Sequence, residues 1–257
     1  MEAALFSPSS LFHEAEDHDE QVVGEGEGES QYPSEQAFVE RIHAFPGMDL
    51  KIREFSFHYL NANLLWPGTF AFCDWLVQHK SLLRGQRILE LGSGTGALAI
   101  FLRKSLGVDI TTSDCDDEEV EENIAYNCRS NGLELLPHIR HSWGDVFPTC
   151  APDWDLVIAS DILLYVKQYA ELIKTLTFLL NCYKQKDGKV HLRSPFTMGL
   201  TDASGKVIQL QQPSFLMSWK RRIGKDEQLF FNGCQEAGLD VVHLGSRVYY
   251  ISPSKIH

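Results

Sequence analysis

Cysteine is sparse in this sequence and falls into no pattern. The six cysteines (Cys73, Cys115, Cys128, Cys150, Cys182 and Cys234) stand far apart, with no Cys-x-x-Cys pair and no cysteine–histidine array at zinc spacing. Neither a disulfide framework nor a metal centre is expected, and reduced thiols point to the cytoplasm or the nucleus. Long apolar runs are missing too. Nothing approaches the roughly 18 residues that a membrane-spanning helix needs, and the first residues lack the basic-then-apolar order of a secretory signal. Clustered positive charge is equally scarce: Lys220-Arg221-Arg222 is a short basic run, too little to neutralise a nucleic-acid backbone. No nucleic-acid or membrane partner is expected, and a monomer is the default. Tyr-x-x-x-Lys is absent, which removes short-chain dehydrogenase chemistry, and so is G-x-x-x-x-G-K-[ST], which removes a P-loop.

Acidic charge is present, but in one place. Of the formal net charge of -12, most belongs to residues 1–40, which hold eleven acids and no Lys or Arg. The rest of the chain is near neutral, with 24 acids against 23 bases. Residues 1–36 therefore read as an acidic, disordered tail, unable to bury enough apolar surface to offset its ordering entropy. Residues 37–84 read as strands near Leu50–Phe57 followed by a helix starting at Pro67, a segment capping the site described below. Residues 85–257 carry strands and helices in alternation. "RILELG" is a buried strand, "ALAIFLRKSL" a helix ended by Gly107, and "DITTSD" (109–114) the second strand. A helix from Asp116 to Asn131, strands at 138–143 and 154–160, and an amphipathic helix from Lys167 to Asn181 follow. Such spacing implies a doubly wound, mostly parallel α/β sheet. An insertion at about 186–213, in part a hairpin, precedes a core strand at 214–219, a helix, and two closing strands joined by Gly245-Ser246. A pair joined so tightly is antiparallel.

The sharpest local signal is Glu90-Leu91-Gly92-Ser93-Gly94-Thr95-Gly96. Glycines after a buried strand let a ligand approach the backbone, and the next helix points unpaired N–H groups toward it. Two readings of this loop stay open, because Gly92, Gly94 and Ala97 also satisfy the dinucleotide pattern G-x-G-x-x-G/A. Asp114, ending the next strand, suits ribose hydroxyls in either. Glu90 favours one of them: a carboxylate beside the loop suits the cationic amino-acid end of S-adenosylmethionine and repels a pyrophosphate.

With "LLWPG" (64–68), "ILELGSGTG" (88–96), "TTSD" (111–114), "NIAYN" (123–127), "SWGD" (142–145) and "DLVIASDILLY" (155–165), the sequence resembles seven-strand, Rossmann-like methyltransferases, specifically methyltransferase family 16, a group rich in protein-lysine methyltransferases. "FLMSW" and "GSRVYYI" resemble plant members of that group. The resemblance implies S-adenosylmethionine as cofactor and a lysine side chain of a protein as acceptor. It places Trp66 as a cap on the pocket, Glu90, Gly92, Gly94 and Gly96 around the methionine moiety, and Asp114 on the ribose. Trp143 would lie against the adenine, Ser160 would line the pocket, and Asp161 and Tyr165 would serve catalysis. Lysine methyltransferases of this group carry D-x-x-Y, whereas one further residue separates Asp161 from Tyr165 here. In a helix that residue would turn the tyrosine by about 100°. A small-molecule acceptor and a non-catalytic cofactor-binding module remain as alternatives; the N/D-P-P-[YF] mark of base methylation is absent.

Overall fold

The computed structural model describes residues 38–185, 199–219 and 227–254. The acidic tail, residues 186–198 of the expected insertion, and the basic run at 220–222 lie outside the described residues.

The chain enters through a hairpin, β1 (Phe38–Phe45) and β2 (Met48–Phe55), turned at Pro46-Gly47. The expectation of strands near Leu50–Phe57 caught only the second arm. β1 is exposed along nearly its whole length, so its sequence has no apolar alternation to reveal it, whereas β2 buries Leu50 and Ile52. Helix α1 (Pro67–Gln78) starts on Pro67, whose fixed φ and missing N–H suit a first helical position. β3 (Arg87–Leu91), α2 (Ala97–Leu106), β4 (Asp109–Asp114) and α3 (Glu118–Ser130) follow. α2 ends on Gly107 at φ 64, and Asp117 caps α3 by accepting from the Glu119 N–H. β5 is only His138–Arg140. The strand expected to reach Trp143 ends early because the chain turns at Trp143 and Gly144, the latter at φ 89. β6 (Leu156–Ser160), α4 (Tyr169–Asn181), the small hairpin of β7 (Gly199–Thr201) and β8 (Val207–Gln209), β9 (Ser214–Ser218), α5 (Glu227–Glu236), β10 (Leu239–His243) and β11 (Val248–Pro253) complete the order.

Seven strands form the central sheet in the order β10-β11-β9-β6-β3-β4-β5. β11 runs against both its neighbours, so β10 returns to the common direction. The two closing strands are antiparallel to each other, as their tight Gly245–Arg247 turn requires, and β11 is inserted between β10 and β9. Side chains alternate across the sheet. Ile88, Ile158 and Leu216 join the core beneath α1, α2 and the β1–β2 hairpin, while Leu89, Leu91, Val157 and Phe215 join the core beneath α4 and α5. Burial on both faces is why these strands read as apolar runs. Glu90, 2% exposed within "RILEL", is the exception.

The hairpin is tied to α3 by asparagines. Asn123, Asn127 and Asn131, one helical turn apart and buried, face the open edge of β2. Asn131 accepts from the Lys51 N–H at 3.0 Å and donates to the Lys51 carbonyl at 2.8 Å. Asn127 does the same for Arg53, and Asn123 donates a further bond to the Arg53 carbonyl. Side-chain amides thereby stand in for a neighbouring strand and close an edge that would otherwise be open to another chain. Among the described residues no helix is long and apolar enough to cross a membrane.

Candidate cofactor and active site

Strand order reverses between β3 and β6, and the crevice at their carboxyl ends is where such sheets bind ligands. The cleft there has about 1020 Å³ of empty volume counted out to its open mouth. Trp66, Glu90, Gly92, Gly94, Asp114, Trp143, Ser160, Asp161 and Tyr165 all line it. Of the expected residues only Gly96 stands behind the wall, as the N-cap of α2 packed against Ile124.

The floor is the loop between β3 and α2, with Gly92, Gly94 and Gly96 at φ 63, 52 and 75. Gly92 is needed twice over. Its backbone is left-handed, and a Cβ there would lie 2.8 Å from Ile162 Cγ2, inside the contact limit. Asp114 holds the loop in place: its Oδ2 accepts from the Gly94 N–H at 2.6 Å and its Oδ1 from the Cys115 N–H at 2.8 Å. The carboxylate expected on a ribose is therefore also the clamp of the glycine loop, with lone pairs left for a ligand.

Glu90 sits on the α1/α2 side of β3, and its Oε2 has no hydrogen-bond partner among the described residues. Burial pushes its carboxyl up to about 8, reinforced by the charge of Asp114 and opposed by the Ser93 hydroxyl and the Ala99 N–H. An unpartnered buried acceptor beside a bare-backbone turn fits a ligand that brings positive charge. The donor set thus suits the methionine end of S-adenosylmethionine and is unsuited to a pyrophosphate.

The other wall comes from residues 58–69. His58 Nδ1 accepts from the N–H groups of Leu60 and Ala62, both at 3.2 Å, so its Nε2 carries the proton and donates to Asp117 at 3.3 Å. His58, Cys115 and Asp117 lie within 4.8 Å of one another, yet with both ring nitrogens so used His58 has no lone pair left for a metal. The loop it shapes presents Asn61, at φ 59, whose carbonyl accepts from Trp66 Nε1 at 3.0 Å and whose amide donates to the Tyr165 hydroxyl. Ser160 bonds Thr69 at 2.9 Å. Trp143 stands over the loop, with its ring edge 3.6 Å from where a Gly92 Cβ would be.

Asp161 lines the cleft with its carboxylate turned toward α1. It is 2% exposed at φ 54, and its Oδ2 accepts from the Gly68 N–H at 2.6 Å, in the first turn of α1. The carboxylate is drawn there by the unpaired N–H groups and positive end of that helix. Tyr165 lines the cleft from the opposite end of the same segment. Residues 161–165 are not helical and Tyr165 is extended, at φ -124 and ψ 115, so the rotation argued from a helix does not apply. The extra residue is absorbed in extended chain, and Tyr165 reaches the cleft. Asn61 and His58 were not anticipated. The signal for Asn61 was a residue type that best tolerates left-handed backbone; His58 had none, since its partners are two backbone N–H groups and an aspartate 59 residues away.

A parallel sheet with this switch-point cleft and this loop defines a Rossmann-like methyltransferase, and a T. thermophilus 16S rRNA methyltransferase solved with AdoMet shares the fold, at TM-score 0.55 and 13% identity over 87% of this chain and 52% of its own. The chain belongs to the lysine methyltransferase family, whose profile matches residues 44–190, and its cofactor is S-adenosylmethionine. It is similar to EEF1A lysine methyltransferase 3 of Xenopus tropicalis, at 31% identity over 55% of this chain and 64% of that protein. It is also similar to the electron transfer flavoprotein beta subunit lysine methyltransferase of Rattus norvegicus, at 30% over 58% and 54%. Histone-arginine methyltransferase METTL23 of Xenopus laevis matches at 26% over 48% and 53%. The matched stretches thus span between about half and two-thirds of these relatives' lengths.

Proposed function

We propose that this protein transfers the methyl group of S-adenosylmethionine to the ε-amino group of a lysine in a protein substrate. The observation that carries the reading is the rim of the cleft, where the Asn61 amide and the Tyr165 hydroxyl are hydrogen-bonded to each other beside Trp66. Oxygens of that pair can accept from an amine's N–H groups and aim its lone pair inward. Two relatives named as lysine methyltransferases at 30–31% identity support the acceptor, and the near-neutral charge after residue 40 supports a protein over a nucleic acid.

When bound, S-adenosylmethionine supplies a methyl group on a cationic sulfur, displaced in line by a neutral amine. The chain's own contribution is position and electrostatics. Holding two reactants in line accounts for up to about 7–11 kcal/mol of acceleration in such reactions. Asp161 acts through α1: by holding the Gly68 N–H it fixes the turn that carries Trp66, and its charge near the cleft favours a cationic product. We place this activity in the cytoplasm or nucleus, as the scattered cysteines suggest, take the protein as a monomer, and group it with the plant members its closing strands resemble.

Incubating a lysate with isotopically labelled methyl donor, then locating the label by mass spectrometry, tests the proposal. Label on a lysine supports it. Label on an arginine moves the acceptor toward that of the METTL23 relatives, label on a small product overturns the protein substrate, and cofactor binding with no label anywhere overturns catalysis.

A further inference from the structure

Glu90 is a charged residue type in a place that supplies it with no opposite charge. It lies on the same side of β3 as Ile88 and lines the cofactor cleft at 2% exposure. The groups that face it can be named element by element. β4 brings Asp114, an acid; α1 brings Cys73, whose thiol is itself held neutral by burial and by Glu90; α2 brings only the Ala99 N–H; the loop brings the Ser93 hydroxyl. β6 pairs with it through Ile158, an apolar residue. Among the described residues none of these is a cation, and Oε2 is left without a partner.

A carboxyl in that setting holds its proton, because the ionised form is neither solvated nor paired. Bringing a cation into the cleft reverses the balance, since attraction at low dielectric acts on the ionised form alone. We propose that Glu90 reads the charge of whatever fills the cleft: it is a carboxylic acid when no cation is present, and it gives up its proton when the cationic methyl donor is seated. The balance is simple, with one O–H bond broken and the proton passed to solvent as the ligand enters. The ammonium of the amino-acid end is common to S-adenosylmethionine and S-adenosylhomocysteine, so either ligand draws the proton off Glu90. The inference rests on the cofactor alone, so it stands whatever the methyl acceptor is.

Its direction with pH follows. Where Glu90 keeps its proton in the empty protein, donor affinity rises as pH rises, by up to about tenfold per pH unit, and levels off once the empty protein is itself ionised. The group's elevated value, about 8, places the end of that rise near pH 8. Asp114, Cys115, His141, Asp161 and Tyr165 line the same cleft, so a variant must separate Glu90 from them.

The experiment is calorimetric titration of the full chain with S-adenosylmethionine, and separately with S-adenosylhomocysteine, at pH 7 in buffers of different ionisation enthalpy. The expected result is release of close to one proton with either ligand, and no release when Glu90→Gln is titrated with the donor. A heat independent of buffer in the unaltered protein overturns the proposal. So does undiminished release in Glu90→Gln, which would assign the proton to another group of the cleft. Should Glu90→Gln fold poorly, the donor dissociation constant of the unaltered protein from pH 6 to pH 9 decides: a rise in affinity that flattens near pH 8 supports the proposal, and a flat profile overturns it.

Discussion

Asn127 gives Arg53 both of the hydrogen bonds that a neighbouring strand would give it, accepting from its N–H at 2.7 Å and donating to its carbonyl at 3.2 Å. The same amide nitrogen lies 3.0 Å from the carbonyl of Thr95, inside the glycine loop. One side chain on α3 thus joins the edge of the N-terminal hairpin to the floor of the cofactor cleft.

Replacing Asn127 with Ala should leave the Arg53 N–H and the Thr95 carbonyl unpaired in a buried setting. Each such loss costs about 1–3 kcal/mol, so a fall of roughly 3 kcal/mol is expected, or roughly 6–12 °C in melting temperature. Cofactor affinity should weaken as well, because the loop loses an anchor. Urea unfolding and calorimetry check the two effects; a change below about 0.5 kcal/mol, the scale of a surface substitution, would mean that water replaces the amide.

Gly92→Ala and Gly107→Ala place the same methyl group on left-handed backbone, at φ 63 and φ 64. Both should lose about 1–2 kcal/mol of stability. Only Gly92 has a neighbour in the way, Ile162 Cγ2, whereas nothing lies within 4 Å at Gly107. Cofactor affinity should therefore fall more than tenfold for Gly92→Ala and stay within about twofold for Gly107→Ala. Equal losses at both positions would show that backbone strain, not access to the cleft, is what matters.

Asp161 and Gly68 are expected to behave as one unit. A Cβ on Gly68 would overlap the Asp161 carboxylate, so Gly68→Ala must push it off the helix end. Losing a hydrogen bond to a charged group costs about 1.5–3 kcal/mol, and kcat should drop roughly 10–100-fold for Gly68→Ala, for Asp161→Asn, and for both together. The double-mutant cycle is the measurement; full additivity would mean that Asp161 acts independently of α1.

Stability should depend on pH through Glu90. Its folded-state value, about 8, lies above its ordinary value of 4.5, so between the two the folded protein binds more protons than the unfolded chain. Stability from this group is complete below about pH 4.5 and declines as pH rises toward 8, by up to about 1.4 kcal/mol per pH unit. Glu90→Gln removes that slope. Its advantage in melting temperature over the unaltered protein should grow from pH 5 to pH 8, which differential scanning fluorimetry without ligand reads directly.

Residue order alone made the sheet, the glycine loop and the ligand class legible. β3, β6 and β9 are buried on both faces, so each appears as a short apolar run, and the glycines and Asp117 mark where helices start and stop. These are local properties, carried by neighbours in the chain. Tertiary structure alone decided three things. β1 was hidden because its side chains face outward and its pairing is with β2 only. The hold of Asp161 on Gly68 joins positions 93 residues apart, and a carboxylate one residue past a strand looks the same whether it meets a substrate or a helix end. The asparagines of α3 could be seen as a row on one helical face, but not as partners of β2, because a backbone N–H is common to every residue except proline and leaves no trace in the sequence of which side chain will meet it.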